Sequence, residues 1–230
     1  MPSNDPTAQS TVAVLFSGGL DSAILLSHLL AQRRQVQPLY VACGLVWQEQ
    51  ELRWARRYLQ HVATRSLAPL VVLSMPLADL YGDHWSITGQ GVPAADEPDE
   101  RVYLPGHNPL LLIKADIWCR LNNVPQLALG ALATNPFADA SDQFFEPFAA
   151  AMDQAVAGRV ELIRPLAKLD KRAVMASGGE APLAQTFSCL APQGEWHCGA
   201  CNKCAERQRA FRDAALPDPT RYAAASPIAL

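Results

Sequence analysis

Two groups of residues in this sequence have types and spacings that do chemistry. The first is Val12-Ala-Val-Leu-Phe-Ser-Gly-Gly-Leu-Asp21-Ser22. An apolar run breaks at Ser17-Gly18-Gly19, and an Asp-Ser pair opens a helical pattern. A strand, a glycine turn and a helix start form a phosphate cradle, because the turn exposes backbone N–H groups and the helix N-terminus adds partial positive charge. The two glycines let an anion approach the main chain, and Ser17 and Ser22 add hydroxyl donors. Asp21 would repel a phosphate; its place is explained if it holds Mg²⁺, which prefers oxygen ligands. The second group is Cys189, Cys198, Cys201 and Cys204, a Cys-x8-Cys-x2-Cys-x2-Cys array with Gly199 in the tight knuckle. Four thiolates suit a tetrahedral, closed and therefore structural Zn²⁺ site. An iron–sulfur cluster takes the same ligand set. His197 reads as a capping or packing residue, and the isolated Cys43 and Cys119 as core.

The rest of the composition limits what these groups serve. The chain has 230 residues, half of them hydrophobic, and 18 prolines that suggest many defined turns. A formal charge of -3 and a pI near 5.9 leave no general electrostatic footprint for a polynucleotide. Arg53, Arg56, Arg57, Arg207, Arg209 and Arg212 read as solvated helix faces; a shared basic face is the rival reading. The N-terminus is polar with no secretory pattern, and no apolar run is long enough to span a bilayer, so a cytoplasmic protein without a membrane partner is expected. In that compartment cysteine clusters read as metal sites before disulfides.

Apolar runs and helical periodicities alternate along the chain. Strands are expected at 12–16, 36–42, 70–73, 126–129 and 162–166, and helices at 23–32, 49–63, 109–121 and 142–157. Asp170 is an N-cap for a helix beginning at Lys171. Residues 82–102 lose periodicity and read as a long mobile loop, a candidate lid. Such alternation implies a parallel sheet covered on both faces, with ligands beyond the C-terminal strand ends, where Ser17 to Ser22 lie. Residues 1–180 are expected to form this α/β domain. Residues 181–230 are expected to form a small zinc-binding subdomain and an Ala/Pro-rich tail.

The Ser-Gly-Gly-x-Asp-Ser pattern lacks the lysine of the common P-loop. It resembles the PP-loop of the N-type ATP pyrophosphatases, which adenylate a substrate oxygen and release pyrophosphate. Together with the four cysteines it resembles the 7-cyano-7-deazaguanine synthases of the queuosine pathway. Other segments match that family in order: Leu104-Pro-Gly-His-Asn108, Leu127-Ala-Leu-Gly130, Arg164-Pro-Leu-Ala-Lys-Leu-Asp-Lys171 and Thr186-Phe-Ser-Cys189. The resemblance implies a Rossmann-like fold of the adenine nucleotide alpha hydrolase type, a homodimer, and an ATP-dependent ligase acting on a small carboxylate and ammonia. It implies that Phe16, Ser17, Gly18, Gly19, Leu20, Asp21 and Ser22 bind ATP, with Asp21 on Mg²⁺ and Lys171 reaching the phosphates. Asp21 and Lys171 are thus the candidate catalytic residues.

The departures fall where substrate would be read. The family's tyrosine-, cysteine- and arginine-bearing loop after the fourth strand is here Gly130-Ala-Leu-Ala-Thr-Asn-Pro-Phe-Ala-Asp-Ala-Ser-Asp142, and its arginine in Pro-Gly-Arg-Asn is His107. The family's Tyr-Gly-Gln after the second strand is Cys43-Gly44-Leu45. Histidine does not replace arginine's fixed fork for a carboxylate. His107, Asn108, Asn135, Phe137 and Asp139 are the candidate substrate residues, with an N-cap role the rival for Asn108 and core packing the rival for Phe137. The altered residues suit a paralogue acting on a related or different acid. The rival functions are a PP-loop enzyme that modifies tRNA or a protein, and a non-catalytic nucleotide-sensing module.

Overall fold

The computed structural model describes residues 10–223; the polar N-terminal stretch through residue 9 and the end of the Ala/Pro-rich tail lie outside them. Five parallel strands, β1 (Val12–Leu15), β2 (Val36–Ala42), β3 (Val71–Ser74), β4 (Gln126–Ala128) and β5 (Glu161–Ile163), pair in the order β3-β2-β1-β4-β5. The helices are α1 (Leu20–Ala31), α2 (Gln48–His61), α3 (Ala78–Tyr81), α4 (Trp85–Thr88), α5 (His107–Leu121), α6 (Asp142–Ala155), α7 (Lys171–Ser177) and α8 (Asn202–Asp213).

Alternation along β1 sorts the core into layers, since successive side chains of a strand point to opposite faces. Val12, Val14 and Phe16 pack with α1, with Ala55 and Tyr58 of α2, Val174 and Met175 of α7, and Ala210 and Phe211 of α8. Ala13 packs on the other face with Leu112, Ala115 and Cys119 of α5 and Phe145 of α6. A third cluster lies past the C-terminal ends of the strands, where Val41, Cys43, Trp47 and Trp54 meet Leu104, Phe187 and all four array cysteines. The strand order reverses between β1 and β4. In open α/β sheets the crevice at that point is where ligands bind.

Several expectations shift. Helix α1 begins at Leu20, three residues before the expected Ala23, because the Ala23 N–H already bonds to Gly19 O at 3.0 Å. Asp21 and Ser22 therefore stand in its first turn. Helix α5 starts at His107 with Gly106 as its N-cap, so Asn108 is inside the helix and caps nothing. Residues 82–102 are not a free lid. They carry α4 and a short 3₁₀ turn at Asp99–Val102, and main-chain bonds tie them to the cysteine segment, Ala95 N to Ala200 O and Asn202 N to Pro93 O, both 2.9 Å. Those partners lie so far apart in sequence that loop composition alone carried no trace of them. Strand β3 is offset by one residue from the expected run, and β5 begins one residue early and ends at Ile163, three residues short of the expected Leu166. Among the described residues no helix is long and apolar enough to cross a membrane.

Candidate nucleotide site and cysteine centre

Local forces build the cradle. Phe16 N–H bonds to Leu39 O at 2.8 Å, extending the β1–β2 ladder to the turn. Gly18 then takes φ +81, a conformation side chains rarely adopt, and a Cβ there would meet the Ala55 backbone at 3.1 Å. Gly19 is the N-cap of α1, and no side chain caps that helix, which leaves its N-terminus to an anion. Ser17 Oγ accepts from Gly19 N and lies 3.2 Å from Ser22 Oγ. Two other segments close on the turn. Phe187 N–H bonds to Gly18 O at 2.8 Å, and Gly130, past β4, lies so near that a Cβ would sit 3.2 Å from the Asp21 carbonyl carbon.

Asp170 caps α7 as expected, its Oδ1 accepting from Ala173 N at 2.7 Å. Lys171 follows, and its ammonium donates to both Asp21 oxygens, at 2.8 and 2.7 Å. It also reaches Glu206 Oε1 of α8 at 3.2 Å, and Glu206 Oε2 accepts from Lys203 at 2.5 Å. Burial alone would pull the Lys171 pKa down; the Asp21 and Glu206 carboxylates outweigh it, and the net direction is up. Burial would raise Glu206, but Lys203 and Lys171 hold it down at about 2.

These groups open onto a cavity of about 410 Å³. Phe16, Ser17, Gly19, Leu20, Asp21, Ser22 and Lys171 line it; Gly18 does not, being turned towards α2. Trp47, Trp85, Leu45, Leu104 and Leu111 supply apolar walls, and Tyr40, Glu51, His107, Asn108 and Asn135 polar ones. A second cavity of about 300 Å³ shares Asp21, Asn135, Lys171, Lys203 and Glu206, and is bounded by Phe137, Asp99 and Arg209. Asp139 reaches neither wall; its Oδ1 accepts from Asn108 Nδ2 at 3.2 Å. Phe137 also packs on Tyr103, with ring centroids 5.0 Å apart. His107 Nδ1 is buried without a hydrogen-bond partner, and burial lowers its pKa to about 4, so the ring is neutral.

The ligand atoms of Cys189, Cys198, Cys201 and Cys204 all lie within 4.8 Å of one another. All four are buried and none forms a disulfide. Four converging thiols offer a closed, all-sulfur donor set, which fits a tetrahedral metal ion. His197 is not among them. It packs against Phe187 and Trp54, and its Nε2 accepts from Ser188 N at 3.2 Å.

A family model described as "Queuosine biosynthesis protein QueC" matches residues 11–215. The chain belongs to this family. The curated relatives it resembles span nearly its whole length. The 7-cyano-7-deazaguanine synthase 1 of Desulfitobacterium hafniense is 30% identical over 209 residues, covering 89% of this chain and 92% of that one. The 7-cyano-7-deazaguanine synthases of Methanothrix thermoacetophila and Rhizobium johnstonii are 28% and 29% identical, covering 90% and 91% of this chain, and 96% and 90% of theirs.

Sequence reasoning missed four residues of the cavity wall. Tyr40, Glu51, Lys203 and Glu206 line the cavity; Tyr40 meets Glu51 and Glu206 meets Lys171 only across elements, while the i,i+3 pair Lys203–Glu206 reads in the sequence as an ordinary helix-surface pair. One of the six arginines was also misread. Arg207 is 2% exposed, not a solvated helix residue. Its guanidinium donates to Thr186 Oγ1 at 2.8 Å, Thr220 Oγ1 at 2.6 Å and Leu183 O at 3.1 Å, fastening α8 to the segment that pins Gly18. Arg53 and Arg57 pair with Glu195, Arg209 with Asp99 and Arg212 with Asp213, so four of the six arginines of the candidate basic face are tied to carboxylates.

Proposed function

We propose that this protein is an ATP-dependent carbon–nitrogen ligase that converts 7-carboxy-7-deazaguanine and ammonia to 7-cyano-7-deazaguanine. The observation that carries this reading is the pair Asp21–Lys171, set beside an uncapped helix N-terminus at one end of a cavity large enough for a nucleotide. Membership of the family, and the names its relatives bear, give the substrate.

A carboxylate oxygen is a poor leaving group, and AMP is a good one. The acid's oxygen attacks the α-phosphorus of ATP, the bond to the β-phosphate oxygen breaks, and pyrophosphate leaves. Ammonia then attacks the acyl carbon, AMP departs and a proton is lost, giving the amide. The amide oxygen attacks the α-phosphorus of a second ATP and pyrophosphate leaves; loss of AMP and the remaining protons then gives the nitrile. Amide donors of the glycine turn and Lys171 meet the charge that moves onto pyrophosphate. Asp21 would hold Mg²⁺, which neutralises that same charge when bound. The four cysteines would hold a structural Zn²⁺. The same reading makes the protein a cytoplasmic homodimer.

A second acid is favoured by one observation. His107 stands where the family pattern has arginine, and as a neutral imidazole it cannot grip a carboxylate with two parallel bonds. Pyrophosphate release with 7-carboxy-7-deazaguanine, ammonium, Mg²⁺ and ATP tests both. Release is expected with the parent protein and should fall by roughly 10²-fold or more in Asp21→Asn. Release only with another carboxylate replaces the substrate and keeps the chemistry. No release with any acid leaves a nucleotide-binding module.

A further inference from the structure

Resting on that nucleotide site, we propose that α8 of the cysteine centre supplies a second phosphate-binding residue, Lys203. The metal-bound knuckle is then part of the nucleotide site and not only a staple of the fold. Lys203 lies two residues after Cys201, the N-cap of α8, and immediately before Cys204. Two converging thiols thus fix its backbone from both sides. Asn202, fully buried, locks the same turn by donating to Glu97 O at 2.9 Å and to Asp99 Oδ1 at 3.1 Å.

From this turn the Lys203 side chain lines both cavities, as Asp21 and Lys171 do. Glu206 bridges the two ammoniums, 2.5 Å from Lys203 and 3.2 Å from Lys171. The two lysines are therefore matched by two carboxylates, Asp21 and Glu206. A triphosphate is a polyanion, and Lys171 is already shared between both carboxylates. Of the two lysines, Lys203, with a single carboxylate partner at 33% side-chain exposure, is the one with donors left to give. Lysine meets phosphate as a movable point charge, so it needs only a short swing of its tip. The position of that tip depends on Cys201 and Cys204 being held, which is how metal occupancy reaches the phosphates.

The bland alternative is an i,i+3 ion pair that does nothing beyond the helix. Calorimetric binding of pyrophosphate and of ATP, each with Mg²⁺, to the full-length metal-loaded protein separates the two. In Lys203→Ala, both affinities should drop about tenfold with the melting temperature little changed, and Lys203→Arg should recover most of the loss. A second arm strips the protein with a zinc chelator, dialyses the chelator away and follows folding by circular dichroism. Metal-free protein that keeps its helical signal should bind Mg·ATP weakly and regain affinity when Zn²⁺ is restored. Parent-like pyrophosphate affinity in Lys203→Ala would overturn the proposal, and so would metal-free, folded protein binding ATP as the parent does. If stripping unfolds the chain, the alanine and arginine variants decide alone. A parent protein that binds neither ligand sinks the nucleotide reading itself.

Discussion

Glu51 looks like any helix-face glutamate in the sequence, yet folding gives it an unusual environment. It is half-buried on the cavity wall and accepts from Tyr40 Oη at 2.7 Å. Burial is the largest influence and raises its pKa from 4.5 to about 7, against the lowering effect of hydrogen bonds from Tyr40 and Trp47. The other titrating group it acts on is Cys43, whose thiol burial, aided by Glu51, pushes up to about 11. The sign of the stability effect follows from proton counts. Between pH 4.5 and about 7 the folded state holds a proton on Glu51 that the unfolded state has released. Stability therefore falls as pH rises through that window and levels off above it. Glu51→Gln should leave stability nearly unchanged at acid pH and raise it above neutrality, flattening the decline in denaturant melts across that range. Parallel curves for parent and variant would show that Glu51 ionises freely. At this scale, residues whose chemistry is carried by near neighbours were legible: Ser17, Gly18, Gly19 and Asp21 announce themselves. Glu51 and Glu206 did not, because their significance lies in Tyr40 and Lys171, which only the fold brings close.

Among elements, the turn between β1 and α1 has the least freedom. Gly18 carries two separable constraints, a positive φ and a Cβ direction blocked by Ala55 of α2 at 3.1 Å. Gly91 carries only the first, with φ +71 and open space around it. Gly91→Ala should cost about 1–2 kcal/mol from backbone strain alone. Gly18→Ala should cost clearly more, since Ala55 contributes backbone as well as side chain and α2 must shift. Because the glycine turn is the proposed phosphate cradle, its ATP affinity should fall with its melting temperature, whereas Gly91→Ala keeps its affinity. Equal losses in the two variants would mean that α2 yields easily. The regular elements were readable from apolar periodicity, with ends misplaced by up to three residues where capping was decided by backbone bonds, as at Gly19 and Gly106. Residues 82–102 were misread for a different reason. Their polar, proline-rich composition describes a loop correctly, but the bonds from Ala95 and to Pro93 that tie it down belong to the cysteine segment.

At the scale of the whole molecule, alternating strands and helices were enough to give the parallel α/β architecture and to place the glycine turn at strand C-termini. They did not reveal how the cysteine centre is joined to that architecture. Cys189, Cys198, Cys201 and Cys204 share one apolar cluster with Val41, Trp54 and Phe187, while Ala210 and Phe211 of α8 enter the cluster around β1 and α1. The cysteine centre is thereby built into the packing that carries the glycine turn, and loss of a metal held there should be felt well beyond the knuckle. Bringing four thiols together without a cation buries sulfurs that a divalent ion would hold as thiolates, so binding free energy becomes folding free energy. Structural zinc contributes apparent values of roughly 10 kcal/mol or more in small domains. Elemental analysis should find about one zinc per chain, with no visible absorption. Chelation or Cys204→Ser should lower the melting temperature of the whole chain in a single cooperative step. Iron with a broad visible band would assign the same thiolates to an iron–sulfur cluster. Two separate transitions would mean that the cysteine segment unfolds on its own, and that its contacts with β1, α1, Val41 and Trp54 are too weak to couple metal to cradle.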